Sequence, residues 1–189
     1  MNLFNPTKQI KLQQLADALT IIRATAGLPL IIALQEGYFS IAWWVLLVGC
    51  LTDTADGWCA RQSGGGTAWG TWIDPLADKL LVLAPLLWLS TYKILPLWAI
   101  WTLLTRELLI SSWRSFDCSG ASASIWGKSK TVLQFLSLLL LLLPFHWFSG
   151  DIVLWFHSLG WFLFWPSLLL SLISAIHYLY KSSMLIDYR

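Results

Sequence analysis

The chain has 189 residues, of which 57% are hydrophobic and only 12% are charged, and its mean hydropathy is +0.66. This composition excludes an ordinary soluble globular protein and indicates a membrane protein with room for one domain. The net charge of +2 says little by itself, and its distribution along the chain matters more. We expect no nucleic-acid partner.

The N-terminal part predicts a surface helix followed by a first membrane span. Residues 1–17 mix apolar side chains with Lys8, Lys11 and three glutamines, a pattern typical of a short helix lying on the membrane. The apolar run 19–34 contains Arg23 about one turn inside the span. That arginine either snorkels to the lipid headgroups or reaches inward to a phosphate.

Further apolar stretches predict five more helices, at 39–61, 73–90, 94–112, 129–145 and 154–178. The expected fold is therefore an all-α membrane protein with six transmembrane helices. Its domains would be an interfacial segment 1–17, a six-helix domain 18–180 and a cytoplasmic tail 181–189.

Charge distribution predicts the orientation of this domain. Six spans place both termini on one side of the membrane, and every Lys and Arg except Lys93 falls on that side. By the positive-inside rule this side is cytoplasmic. We therefore expect a multi-pass protein of a bacterial cytoplasmic membrane with its N- and C-termini in the cytoplasm.

Four aspartates interrupt the apolar sequence where the second and third helices meet. In a helix, Asp53 and Asp56 are three residues apart and share a face, and Asp74 and Asp78 are four apart on the next helix. Carboxylates beside membrane-grade hydrophobicity are expensive and are retained for function by default. We therefore expect the active site here, facing the cytoplasm.

Crowded carboxylates repel one another unless cations neutralise them. Oxygen-only ligands favour a hard divalent ion such as Mg²⁺ or Mn²⁺ over zinc. Gly57 and Ala60 leave room for a ligand beside the helix backbone, and Arg61 suits a phosphate, which an arginine binds bidentately. The stretch therefore predicts a site for a metal-bound diphosphate, against the alternative of a solvated helix end.

The same stretch resembles the CDP-alcohol phosphotransferase family. It matches the family signature D-x2-D-G-x2-A-R-x8-G-x3-D-x3-D at all eight fixed positions over 26 residues: Asp53, Asp56, Gly57, Ala60, Arg61, Gly70, Asp74 and Asp78. The resemblance implies a six-helix membrane enzyme, usually a homodimer, in which an alcohol displaces CMP from a CDP-linked lipid.

The resemblance also implies roles for these residues. Asp53, Asp56, Asp74 and Asp78 would bind the metal, expected to be two ions, and Asp78 would also take the proton of the acceptor alcohol. A further set, Gly57, Ala60, Arg61 and Thr20, would line the CDP-lipid site. The residues Ala16-Asp17 stand where members usually have Pro-Asn, a departure that bears on the nucleotide contact near Thr20.

A second group of cations predicts an anionic acceptor. It consists of Arg106, Arg114, Lys128 and Lys130, all on the cytoplasmic side of the predicted spans. We interpret them as the binding site for the acceptor's phosphate, with ordinary positive-inside charge as the alternative.

Several stretches around these cations refine the resemblance. Asp74 to Lys79, the Arg106-Glu107 pair with Ser111 to Arg114, and Gly127 to Thr131 resemble the bacterial phosphatidylglycerophosphate synthases. This implies the substrates CDP-diacylglycerol and sn-glycerol 3-phosphate and the products phosphatidylglycerol phosphate and CMP.

Two alternatives stay open at this stage. The same chemistry with another acceptor would give a cardiolipin synthase acting on phosphatidylglycerol, a phosphatidylinositol phosphate synthase, or an enzyme that uses serine. A divalent-cation channel or transporter would also carry intramembrane aspartates. The outer halves of the predicted spans offer almost no polar side chains for a conduction path.

Overall fold

The computed structural model describes the backbone of residues 6–62, 68–116 and 125–186, and their side chains apart from those of 6–13, 16, 53–75, 113–128, 179 and 181–186. Every regular element in these ranges is an α-helix, and short turns connect the helices; the ranges contain no strand. The six helices are α1 (Pro6–Gln35), α2 (Phe39–Gln62), α3 (Ala68–Thr91), α4 (Leu97–Phe116), α5 (Ile125–Leu141) and α6 (Gly150–Ile186). The expected all-helical class is confirmed for this part of the chain, which has six helices where the sequence predicts an interfacial helix and six spans.

Helix α1 runs without interruption through the predicted interfacial segment and the predicted first span. Pro6 stands at its first position, where a missing N–H costs nothing. The helix ends where Gly37 adopts φ 79°, and the N–H of Tyr38 donates to the carbonyl of Ala33 at 2.8 Å. This αL glycine and the hydrogen bond that Tyr38 returns to the last turn form a Schellman cap.

By its internal packing the chain divides into two compact units, Met1–Pro85 and Leu86–Arg189. The boundary falls inside α3 at Pro85, a residue with no N–H to give to the helix. The first unit holds α1, α2 and the first part of α3, and the second holds the end of α3 with α4, α5 and α6.

In the first unit, α1 packs on α2, and both approach α3 through glycines. A Cβ built on Gly27 would lie 3.0 Å from the carbonyl oxygen of Leu80, and one built on Gly49 would lie 2.4 Å from a methyl of Leu81. Leu81 itself is fully buried. The absence of side chains at the two glycines therefore brings α1 and α2 close to α3 where α3 carries Asp78.

In the second unit, α6 packs along α5 and also on α4. The buried face of α6 alternates apolar and small polar side chains: Phe164, Ser167, Leu168, Ser171, Ser174 and Ala175. Gly160 allows α6 to lie close to the backbone of α5, and the buried hydroxyl of Ser137 donates to the carbonyl oxygen of Gly160 at 2.7 Å. Small residues of this kind are typical of helix packing in membranes.

The outward faces of these helices are apolar. Helix α2 exposes Ile41, Trp44, Val48 and Leu51, each by more than half of its surface. Within the described residues, two stretches are long and apolar enough to cross a membrane, Asp17–Gln35 and Gly150–Tyr178, and two shorter apolar stretches are Phe39–Thr52 and Ser129–Leu141. By length and composition, these stretches agree with the membrane protein that the sequence predicts.

Candidate functional site

The aspartate stretch lies at two helix ends, as the sequence predicts. Asp53 and Asp56 occupy the last turns of α2, and Asp74 and Asp78 occupy early turns of α3. Both segments are helical, so the three- and four-residue spacings put each pair on one face of its helix. The positions of Gly57, Ala60 and Arg61 are likewise in α2 and that of Gly70 is in α3.

Among the four aspartates, Asp78 is the one whose side chain lies within the described residues. Its Oδ1 is 2.9 Å from Nε of Arg23, and its side chain is 40% exposed whereas that of Arg23 is 1% exposed. The ion pair joins α1 to α3 inside the first unit. The sequence left open whether Arg23 snorkels to the headgroups or reaches inward to a phosphate. In the structure its side chain is buried and lies against the carboxylate of Asp78.

Arg23 belongs to the buried face of α1. Thr20, Arg23, Gly27, Leu30 and Leu34 follow one another at three- and four-residue intervals and are all buried. Gly27 lies one turn beyond Arg23 and close to the backbone of Leu80 on α3. Asp78 is two residues before Leu80, so this close approach brings Arg23 near Asp78. The signal in the sequence was a charged residue in helical register with Thr20 inside an apolar run.

A second polar cluster lies in the second unit. The Oε1 atom of Glu107 accepts from Nη1 of Arg106 at 2.9 Å, from the ammonium of Lys130, and from the hydroxyl of Ser171 at 3.3 Å. Arg106 and Lys130 are 7% and 8% exposed. The cluster, which we call the Glu107 network, therefore joins α4, α5 and α6 through one carboxylate oxygen.

The Glu107 network contains two of the four predicted acceptor-site cations. The other two, Arg114 and Lys128, lie in α4 and α5, but their side chains fall outside the described residues. Sequence reasoning noted the acid beside Arg106 without giving it a role, and it missed Ser171. Nothing in the spacing of the sequence connects residue 171 to residue 107.

The residues offered for metal binding have the right chemistry for a hard divalent ion. All four are carboxylates and no histidine or cysteine ligand is required, which suits Mg²⁺ or Mn²⁺. Within the described side chains no group of three or more metal-ligating residues is present. The side chains of Asp53, Asp56 and Asp74 lie outside that set, and so do those of Arg61 and its small neighbours.

Comparison with known proteins identifies the class. Residues 13–173 match the CDP-alcohol phosphatidyltransferase family model, and the chain belongs to this family. The match covers the aspartate stretch, the Arg23–Asp78 pair and the Glu107 network. The resemblance seen in the sequence is confirmed, and the chain is an enzyme of this transferase class rather than a channel.

Its relatives carry more specific names. The chain is 31% identical over 180 residues to a probable phosphatidylglycerophosphate synthase of Mycobacterium tuberculosis, an alignment covering 91% of this chain and 83% of that protein. It is 30% identical over 156 residues to the CDP-diacylglycerol–glycerol-3-phosphate 3-phosphatidyltransferase of Blochmanniella floridana, covering 77% of each. The Bacillus subtilis protein of the same name is 33% identical over 120 residues, covering 59% of this chain and 62% of that protein.

Proposed function

We propose that this protein transfers the phosphatidyl group of CDP-diacylglycerol to sn-glycerol 3-phosphate, giving phosphatidylglycerol phosphate and releasing CMP. The observation that carries the proposal is the complete eight-position aspartate signature, placed on two helix ends in a chain of this family. The names of the relatives support glycerol 3-phosphate as the acceptor.

The CDP-lipid would bind at the first group of residues. Asp53, Asp56, Asp74 and Asp78 would hold two Mg²⁺ or Mn²⁺ ions, while Gly57, Ala60, Arg61 and Thr20 would line the nucleotide and diphosphate. Bound divalent metal would neutralise charge on the diphosphate and on the leaving CMP, and such electrostatic stabilisation is the main source of rate enhancement expected in transfers of this kind.

Asp78 would act as the base that takes the proton from the acceptor hydroxyl. Its partial exposure leaves the carboxylate accessible, while Arg23 fixes one oxygen from the buried side. A positioned general base contributes about 10²- to 10⁴-fold to such a reaction. In the attack, the acceptor oxygen forms a bond to the phosphorus that carries the diacylglycerol, and the bond from that phosphorus to the CMP oxygen breaks.

The acceptor's phosphate would bind to Arg106, Arg114, Lys128 and Lys130. The convergence of Arg106 and Lys130 in the Glu107 network supports this assignment, because it brings two cations together from different helices. Ordinary positive-inside charge would place them on the surface instead, whereas both are buried. Phosphatidylglycerol or serine as acceptor would make less use of a dicationic site.

We also propose that the six helices all cross a bacterial cytoplasmic membrane, with both termini and the aspartates in the cytoplasm, and that the enzyme works as a homodimer. The apolar exposed faces of α1, α2, α4 and α6 support the membrane placement. The distribution of Lys and Arg supports the orientation. The homodimer is inferred from the family resemblance alone.

One assay tests the function directly. Purified protein is treated with EDTA, returned to Mg²⁺ or Mn²⁺, and given CDP-diacylglycerol with one acceptor at a time: glycerol 3-phosphate, phosphatidylglycerol, inositol phosphate or serine. We expect CMP only with metal and only with glycerol 3-phosphate. CMP with another acceptor instead would reassign the enzyme within the family, and metal-independent release would contradict the proposed cofactor.

A further inference from the structure

The Glu107 network places two positive charges and one negative charge in a largely buried site. Arg106 and Lys130 are both less than one-tenth exposed, and the Glu107 side chain is 21% exposed. Two buried cations side by side repel each other, and an uncompensated buried charge is strongly destabilising. Glu107 compensates one of the two charges, so these three side chains together carry a charge of +1.

The geometry of the contacts is convergent. Arg106, Lys130 and Ser171 come from α4, α5 and α6 and all donate to one atom, Oε1 of Glu107. One oxygen thus fixes the relative positions of the two cations. Hydrogen bonds to a charged group are roughly twice as strong as neutral ones and fix geometry as well as charge.

We propose that Glu107 is the positioning residue of the acceptor site: through Oε1 it holds Arg106 and Lys130 in the arrangement that binds the phosphate of an anionic acceptor. This inference rests on the proposed function, and it adds a residue to which neither the sequence pattern nor the family signature gave a role. Glu107 acts through the two cations, and it has no contact with the reacting groups in this assignment.

The inference predicts which kinetic constant changes. Removing the charge of Glu107 weakens the hydrogen bonds that hold Arg106 and Lys130 and removes a charge that compensates them. It does not change the aspartate site. Glu107→Gln should therefore raise the KM for glycerol 3-phosphate by at least about tenfold, the effect of losing hydrogen bonds between charged groups. The kcat and the KM for CDP-diacylglycerol should stay within about threefold of wild type.

Graded variants separate positioning from general damage. Glu107→Asp keeps the charge and should recover part of the affinity for the acceptor. Ser171→Ala removes only the 3.3 Å contact and should raise the same KM by about two- to fivefold. Glu36→Gln, the same chemical change at an exposed carboxylate in the α1–α2 turn, is the matched control and should change neither KM.

The experiment is a steady-state CMP-release assay on full-length protein in lipid–detergent micelles, with both substrates varied and thermal unfolding measured in parallel. If Glu107→Gln does not fold, Ser171→Ala decides the matter. An unchanged or lowered KM for glycerol 3-phosphate, or an equal rise in both KM values, would overturn the inference.

The proposed function fails separately, when wild-type protein releases CMP with another acceptor and not with glycerol 3-phosphate. The same kinetic comparison is then made with the acceptor that works. A selective rise in its KM in Glu107→Gln supports the positioning role, and an unselective effect contradicts it.

Discussion

Asp78 and Arg23 form an ion pair in which one partner is partly exposed and the other almost completely buried. A buried guanidinium needs a counter-charge, because removing one partner of such a pair leaves an uncompensated charge in an apolar environment. Asp78 supplies such a counter-charge for Arg23, and Arg23 in turn helps to orient the carboxylate of Asp78. The proposed base is therefore also one partner of a largely buried ion pair.

Asp78→Asn tests the proposed base. The substitution keeps the size of the side chain but removes its ability to take a proton, so we expect kcat to fall by about 10²- to 10⁴-fold. Metal-dependent binding of CDP-diacylglycerol, measured by equilibrium dialysis, should weaken far less than turnover, because Asp53, Asp56 and Asp74 remain as ligands. Asp151→Asn, at an exposed carboxylate in the first turn of α6, is the control. Equal loss of binding and turnover would remove the base assignment.

A double-mutant cycle tests whether Arg23 acts through Asp78. Residues in direct contact show non-additive effects, whereas independent residues add. We expect Arg23→Gln to lower kcat by about tenfold or more in wild type but to cause little further loss in the Asp78→Asn background. The measurement is kcat for the four proteins at saturating substrates. Additive losses would show that the two residues contribute to turnover independently.

At the scale of the helices, much of the fold was predictable from hydrophobicity alone. Helix α2 was expected at 39–61 and is observed at Phe39–Gln62, because the helix continues through its aspartates until the glycine-rich stretch. The start of α6 was expected at 154 and lies at Gly150, since Asp151 is favourable in a first helical turn.

Tertiary pairing was not predictable in the same way. The contact between Arg23 and Asp78 spans 55 residues of sequence, and that between Glu107 and Ser171 spans 64. Helical periodicity shows which residues share a face but not which faces meet. The signature aspartates are recognisable by their spacing, whereas the pairing of Arg23 with Asp78 depends on how α1 lies against α3.

Gly160→Ala tests the packing of α6 on α5. A Cβ added there would lie 2.9 Å from the carbonyl oxygen of Ser137 and 3.0 Å from the backbone nitrogen of Leu141. Backbone atoms cannot move aside as side chains do, so Gly160→Ala should destabilise the protein by about 1–3 kcal/mol. Gly150→Ala, where nothing lies within 4 Å of the added methyl, is the matched control. Thermal unfolding in detergent measures both, and equal midpoints would contradict the observed packing.

At the scale of the whole molecule, apolar side chains are exposed on every helix. They include Ile22 on α1, Leu87 on α3, Trp101 on α4 and Val132 on α5, exposed by 63%, 41%, 70% and 66%. Contiguous exposed apolar surface is rare on soluble monomers and marks contact with lipid or partners. Exposed apolar side chains on all six helices agree better with the hypothesis of six spans than with a membrane anchor made of α1 and α6 alone.

Cysteine labelling in intact bacteria tests the orientation. In a chain whose own cysteines are replaced, single cysteines at Glu36, Tyr92 and Ser149 would lie outside the cell, and one at Ser112 would lie in the cytoplasm; all four positions are exposed. We expect a membrane-impermeant maleimide to label the first three in intact cells and Ser112→Cys only after permeabilisation. The reason is that a six-span chain with cytoplasmic termini turns outside the cell after α1, α3 and α5. If Tyr92→Cys is protected in intact cells while Glu36→Cys is labelled, α2 and α3 do not both cross the membrane, and the six-span topology is wrong.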